Sequence, residues 1–363
     1  MTPDAVRALV RASVEVIVEA GAGTAAGFPD ADYEAAGARV ETDGSKVRGD
    51  SQVLLTVRGL EAGAIDSLGR GTVLIGMLRP LEDPQTMQAL ATAGLTSFAM
   101  ELMPRITRAQ SMDALSSQSN LAGYRSVLLA SVTLGKAFPM MVTAAGTISP
   151  AKVLVLGAGV AGLQAIATAR RLGARVEAYD VRPAVKEQVE SLGARFVELE
   201  IETADAETAG GYAKEQSDDY YQRQQALLGE RVQAADVVIT TALIPGKAAP
   251  RLIDEGTVRG MRPGSIIVDL AASHGGNCWG ARPDETVDVN GVLILGPTNL
   301  PSEVPFHASQ TYAKNISSFL LHLTTDGALT IDLEDEITRA PLVTHEGSIM
   351  NETVRTLAEG AAS

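Results

Sequence analysis

Three glycines and one acid carry the strongest chemical signal in this chain of 363 residues. Gly157, Gly159 and Gly162 stand at G-x-G-x-x-G spacing in AKVLVLGAGVAGLQAIATARRLGARVEAYD, residues 151 to 180, a stretch that ends on Asp180. A dinucleotide is what such a group can hold. Gly157 permits a tight turn, Gly159 lets backbone approach a pyrophosphate, and Gly162 lets the following helix lie close on the strand. The helix start near Val160 offers unpaired N–H groups and the positive end of the helix dipole to an anion. Asp180 falls roughly 20 residues beyond the turn, where a carboxylate can accept from adenosine ribose hydroxyls and repels a 2′-phosphate. That balance favours NAD over NADP. Arg182, just past the same strand, is the residue that could instead serve a phosphate. A bare glycine pattern fits a turn in any α/β protein; strand, helix, second strand and acid in the required order decide for a nucleotide.

The surrounding elements must position this turn. Val153 to Leu156 is a short apolar, β-branched-rich run, suited to burial on both faces of a parallel sheet. The helix through GLQAIATARRLG stops at Gly173, a C-cap glycine, and RVEAYD supplies the second strand. Beyond it come PAVKEQVESLG as helix, ARFVEL as strand, then ADVVITTAL, GSIIVDLA and GVLILG as buried strands, which together make a doubly wound dinucleotide-binding domain. Residues 203 to 226 are polar and acidic around Gly210 and Gly211. They are expected to form a mobile loop, or else a helix leading into QQALLGERVQAAD.

The first hundred residues alternate helical and strand signals, from TPDAVRALVRAS to TSFAMEL, and predict a separate α/β domain. LSSQSNLAGYRSVLLASVTLGKAF is a long helix leading into the glycine turn. After residue 302, EVPFHASQTYAKNISSFLLHL predicts a helix whose Phe306, Tyr312, Ile316, Phe319 and Leu320 return to that first domain. The expected architecture is therefore α/β, with two Rossmann-like domains of doubly wound, mostly parallel sheets and a cleft between them. The first domain comprises 1–119 and 303–363, and the second 120–302.

Composition narrows the function classes. With 44 acidic against 30 basic side chains and a net charge of −14, nucleic acid and anionic membranes are poor main partners. Cys278 is the only cysteine and is read as a small buried hydrophobe, so neither an intrachain disulfide nor a cysteine metal cluster can form. His274, His307, His322 and His345 lack ligand spacing, and no metal is expected. No apolar run is long enough to span a bilayer, and MTPDAVRALV has no signal-peptide pattern, which points to the cytosol.

Several longer motifs accompany the glycines: RITRAQSMDALSSQSNLAGYR (105 to 125), TADAETAGGYAKE (203 to 215), TTALIPGKAAP (240 to 250) and DLAASHGGN (269 to 277). With them, nearly the whole chain resembles the NAD(H)-binding domain I family of the proton-translocating NAD(P) transhydrogenases, whose fold is shared with alanine dehydrogenase. The resemblance implies that Arg105, Gln110, Asp113 and Ser116 hold the nicotinamide carboxamide and ribose. It assigns the pyrophosphate to Gly157, Gly159, Val160 and Gly162, the adenosine end to Asp180, Val181 and Arg182, and further contacts to Gly211, Tyr212 and Leu243, with Tyr212 on a loop that closes over the nucleotide. It also implies a hydride-donating NAD(H) component, with NADP(H) on a separate partner, a membrane proton-channel component, a homodimer, and a place at the membrane surface through those partners. Family members usually carry another strand and a basic loop ahead of the TPDAVRALV-like segment, so the first domain is expected to lack its opening strand.

The residues bear on these roles independently. A carboxamide needs both a donor and an acceptor, which Arg105 and Asp113 supply, and Gln110 offers both at once. Asp113 and Ser116 are equally read as the cap of an ordinary helix start. Alanine dehydrogenase must move a proton as well as a hydride. Where it carries a lysine, a histidine and an aspartate, this chain has Arg58, Arg79 and Ser273. Hydride exchange between two nicotinamides needs positioning and no general base at the reacting carbons. The expected activity is therefore transhydrogenation, with Arg105, Gln110 and Asp113 at its centre. An alanine-dehydrogenase-like enzyme and a nucleotide-binding subunit without turnover are the alternatives.

Overall fold

The computed structural model describes residues 1–60, 62–199, 218–244 and 246–361. The chain divides into two compact units, Met1–Gln118 with Pro305–Ser363, and Ser119–Val304.

In the second unit, strand Lys152–Leu156 is central to a seven-stranded sheet. Arg175–Tyr179 and Arg195–Phe196 follow it on one side, and Val237–Thr240, Ile266–Asp269 and Val292–Leu295 on the other, all parallel. Thr286–Val289 closes the far edge antiparallel. The burial of this central strand explains the double winding. Val153 and Val155 enter one core with Ala165, Ile166 and Ala169 of helix Val160–Arg171. Leu154 and Leu156 enter the opposite core with Leu228 and Val232 of helix Asp218–Ala234. At about 1.5–3 kcal/mol for each large aliphatic side chain taken from water, two buried faces outweigh any exposed ion pair of this unit. From Asp218 onward the segment expected as a mobile loop is helix, because Leu228 and Val232, one turn apart, are buried. Its earlier part, with Gly211 and Tyr212, lies outside the described residues.

The first unit has a smaller sheet, ordered Ser348–Ile349, Leu342–His345, Thr96–Ala99, Val73–Met77 and Val53–Arg58. The last three are parallel, whereas Leu342–His345 runs antiparallel to Thr96–Ala99. Helix Pro305–His322 brings Tyr312, Ile316, Phe319 and Leu320 into a core with Val73, Ile75 and Phe98. Phe306 stays half exposed and stacks on Phe28, ring centroids 4.9 Å apart. The outer flank of Val53–Arg58 pairs with no strand among the described residues. It faces a groove of about 1440 Å³ lined on its other side by a separate parallel pair, Ile17–Glu19 and Arg39–Glu41. Cys278 is fully buried, and burial pushes its thiol pKa up.

One buried acid fastens the amino ends of the second unit's central strands. Asp236 accepts from the Lys136 ammonium at 2.7 Å and the Lys152 N–H at 2.8 Å, while its own N–H donates to the Lys152 carbonyl at 2.9 Å. Burial alone would raise its pKa, but Lys136, the Lys152 N–H and Arg262 overturn that and hold the carboxyl below its usual range. A folded-state pKa below the unfolded one gives stability that is complete above the unfolded value and lost as pH falls through the folded one. Lys136→Met should therefore lower the denaturation midpoint most at about pH 6 and progressively less below about pH 4. A gap between the two proteins that stayed constant or widened in acid would refute this account.

Candidate functional site

The order of the second unit's sheet reverses between Lys152–Leu156 and Val237–Thr240, and open α/β sheets bind ligands at the carboxyl ends of strands flanking such a reversal. The glycine turn sits there. Gly157 has φ +99°, a left-handed conformation that side chains rarely adopt, and its N–H donates to the Tyr179 carbonyl at 2.8 Å. A Cβ on Gly162 would stand 1.8 Å from the Gly157 carbonyl oxygen, so the helix lies on the turn at a distance no side chain permits. Gly159 is the opposite case. It precedes helix Val160–Arg171 with extended backbone (φ −75°, ψ −166°), and a Cβ there would meet nothing within 4 Å. Val160, Ala161 and Gly162 are in the first turn, where amides have no acceptor within the helix. Open space beside a bare backbone, faced by helix N–H groups, suits a pyrophosphate.

The neighbouring loop braces the turn. Thr241 Oγ1 donates to the Gly157 carbonyl at 3.0 Å. Buried Asn277 accepts from the Ala242 N–H at 3.0 Å and donates to the Ala242 and Pro250 carbonyls, each at 2.8 Å. Asp269 accepts from the Ala271 and Cys278 amides, each at 2.9 Å, and burial raises its pKa. On the far side of helix Val160–Arg171, a Cβ on Gly123 would lie 2.0 Å from the Ala161 carbonyl oxygen. Sequence reasoning missed these bracing residues. DLAASHGGN was visible as a motif, but nothing in it says that Asn277 reaches back to the loop after Thr240.

Asp180 ends the second strand as expected, but its acceptors are engaged differently. One oxygen takes the Ala158 N–H at 2.7 Å and Arg182 Nη2 at 2.8 Å; the other takes the Arg182 N–H and Nε, each at 2.9 Å. Both side chains are nearly buried, at 6% and 11% exposure. Arg182 therefore forms a two-point ion pair with Asp180. Val181 is half-buried against the adjacent core, and Leu243 is exposed on the loop braced by Asn277.

Arg105, Gln110, Asp113 and Ser116 belong to the first unit. Asp113 precedes helix Ala114–Thr133 and accepts from the Ser116 N–H at 2.8 Å and the Ser116 hydroxyl at 2.6 Å, so the two cap the helix together. Arg105 and Gln110 are exposed, Gln110 within the short helical turn Thr107–Met112. Arg58 and Arg79 are surface residues, and Arg79 pairs with Glu82; Ser273 is exposed, its hydroxyl 2.9 Å from His274 Nδ1. Among the described residues no cluster of His, Cys, Asp and Glu could hold a metal ion, and no helix is long and apolar enough to cross a membrane.

Sheet order, glycine turn and terminal acid define a Rossmann-type nucleotide-binding protein. Two family models match it: "Alanine dehydrogenase/PNT, N-terminal domain" over residues 1–122 and "Alanine dehydrogenase/PNT, C-terminal domain" over residues 126–352. It is 49% identical to an NAD(P) transhydrogenase alpha subunit chain of Rhodospirillum rubrum, over 97% of this chain and 94% of that protein. It is 30% identical to the alanine dehydrogenase of Halomonas elongata, over 99% of this chain and 92% of that protein. The crystal structure of transhydrogenase from Sinorhizobium meliloti superposes with a TM-score of 0.84 at 45% identity, covering 97% of this chain and 94% of that one. The chain belongs to the alanine dehydrogenase/PNT family.

The two glycines on either side of Val160 and Ala161 separate fold from binding. Gly162→Ala forces backbone apart and should cost about 1–3 kcal/mol, as overpacking does. Gly159→Ala should leave the denaturation midpoint unchanged, since its methyl enters open space, yet should weaken nucleotide binding. Denaturation curves and a nucleotide titration of both variants check this; equal stability losses would mean that Gly159 serves the fold alone.

Proposed function

We propose that this chain is the NAD(H)-binding, hydride-donating component of a proton-translocating transhydrogenase, reducing NADP+ that a separate component holds. The observation that carries the reading is the Asp180 carboxylate fixed beside the glycine turn at the sheet reversal, bonded to Ala158 and paired with Arg182. Identities of 41–49% to proteins named as transhydrogenase alpha subunits, against 28–30% to alanine dehydrogenases, support the choice within the family.

In this reading each residue has a positioning task. The open side of Gly159 and the first-turn amides of Val160, Ala161 and Gly162 take the pyrophosphate, an acceptor of helix N–H groups. Asp180, with Val181 and Arg182, takes the adenosine ribose, whose hydroxyl must share or replace one of the bonds that Asp180 already accepts. Arg105, Gln110, Asp113 and Ser116 take the nicotinamide amide and ribose, with Gly211, Tyr212 and Leu243 as further contacts. When bound, the nicotinamide supplies the hydride that passes to a second nicotinamide. Protein residues then contribute orientation and exclusion of water, which need no general base. The partners are an NADP(H)-binding component and a membrane proton-channel component. The chain acts as a homodimer at the membrane surface, held there by those components.

Selectivity follows from the Asp180–Arg182 pair. A 2′-phosphate would meet a carboxylate whose counter-charge is already engaged, so NADH should bind more tightly than NADPH. Asp180→Asn keeps an oxygen for the Ala158 N–H but removes the charge that matches Arg182. In fluorescence titrations it should narrow the NADH preference on the order of tenfold, about 1.4 kcal/mol. An unchanged ratio would mean that Asp180 does not face the ribose. The activity itself is checked by mixing the chain with NADH, an NADP+ analogue and an NADP(H)-binding component, with hydride exchange expected only when all are present. NADH oxidation by pyruvate and ammonia with the chain alone would instead establish the alanine-dehydrogenase-like alternative.

A further inference from the structure

Helix Pro305–His322 buries Tyr312, Ile316 and Phe319, and at the same helical spacing it buries Asn315, 8% exposed. Asparagine is a poor choice there. It is a weak helix former, and burial of its amide is costly unless both ends find partners. Both ends do, and the partners flank the segment assigned above to the nicotinamide. Asn315 Nδ2 donates to the Ser111 carbonyl at 2.8 Å, and Oδ1 accepts from the Ser117 hydroxyl at 2.7 Å. A carbonyl can only accept, so the Ser111 bond fixes which way the amide points. Ser111 follows Gln110 and Ser117 follows Ser116, so one side chain spans the stretch that contains Asp113.

We infer that Asn315 is a positioning residue, whose amide sets Gln110 in relation to Asp113 and Ser116 and so fixes the nicotinamide end of the site. This rests on the proposed function, which gives those three residues the nicotinamide amide and ribose. Buried, with both ends of its amide engaged, Asn315 acts through Ser111 and Ser117. Other forces hold the same stretch without orienting it. Ala109, Met112 and Ala114 are buried in the core with Phe319, but apolar burial is non-directional. Arg108 reaches Asp335 at 3.4 Å, but its side chain is 69% exposed, and such pairs contribute little. The cap formed by Asp113 and Ser116 is internal to the stretch and moves with it. Hydride transfer is steep in geometry, since a misplacement of about 1 Å costs on the order of a hundredfold.

Asn315→Leu, close in size and without either bond, tests this in the full chain. ADP is the control ligand, having the adenosine and pyrophosphate but no nicotinamide. At saturating NADH, hydride transfer to an NADP+ analogue on the NADP(H)-binding component should fall on the order of tenfold or more. NADH affinity should weaken several-fold, and ADP affinity should not change. Amide hydrogen exchange should rise across residues 106–118 and stay the same in strand Lys152–Leu156. Ser117→Ala removes only one of the two bonds and should move the same readouts less far in the same direction; it carries the test if the leucine variant does not fold. Unchanged exchange across 106–118 overturns the proposal, as does equal weakening of NADH and ADP. Faster exchange with unchanged NADH affinity and hydride transfer is decided by Gln110→Ala and Asp113→Ala. If those variants weaken NADH binding, the proposal is overturned; if they do not, the proposed function fails while Asn315 still holds the segment.

Discussion

A helix laid on a strand too closely for any side chain between them is the constraint on which the second unit depends. The Gly162 Cα occupies the space beside the Gly157 carbonyl, where a methyl would lie 1.8 Å from oxygen. That carbonyl also receives the Thr241 hydroxyl, so two elements fix one peptide group. The same helix turn meets a second glycine, Gly123, across the Ala161 carbonyl, and is gripped from both sides by backbone alone. Backbone contact leaves no rotamers to adjust. The first-turn amides therefore point where the fold aims them, and little of their ordering is left to be paid by a ligand.

Charge is handled differently at the two ends of the same sheet. Burying an ion costs several kcal/mol unless it is paired and fully hydrogen-bonded. At the amino ends, Asp236 meets Lys136 and the Lys152 amide, and the arrangement joins two neighbouring strands. At the carboxyl ends, Asp180 accepts four donors, which fills both of its oxygens. Under the proposed function, an incoming ribose hydroxyl would exchange a bond there more than add one.

The elements around the turn were legible because their signals are local. A four-residue apolar run, glycines at fixed offsets and an acid at the end of the next strand are properties of one short stretch. Helix Pro305–His322 was legible for a related reason: Tyr312, Ile316, Phe319 and Leu320 recur at helical spacing, and all four are buried. Half-exposed Phe306 lies off that face and finds its partner in Phe28, a contact no periodicity encodes. The hairpin of Leu342–His345 with Ser348–Ile349 went unread because its turn uses Glu346 and Gly347, both at positive φ. Asn-Gly or Asp-Gly usually announces such a turn, and glutamate there is an uncommon choice. Asp113 and Ser116 show the limit for site residues. Capping and ligand contact call for the same side chains, and the structure gives them a capping geometry.

What sequence could not show at all is how the loops of the second unit are joined. Asn277 holds Ala242 by both amide and carbonyl, and Thr241 beside it holds Gly157. Gly157 donates to Tyr179, and Asp180, next in the chain, returns to Ala158. These bonds form a continuous path through the loops that follow four strands of the sheet, each link between residues far apart in sequence. Loops of this kind are ordinarily the mobile part of an α/β protein. Here the path makes the glycine turn and the Asp180 corner parts of one rigid frame, so a change at Asn277 should be felt at the nucleotide turn without any contact between them. The path consists of hydrogen bonds with fixed partners. Such coupling would reach the site as altered geometry and therefore as altered affinity, while the buried faces of Val153 to Leu156 keep the fold itself in place.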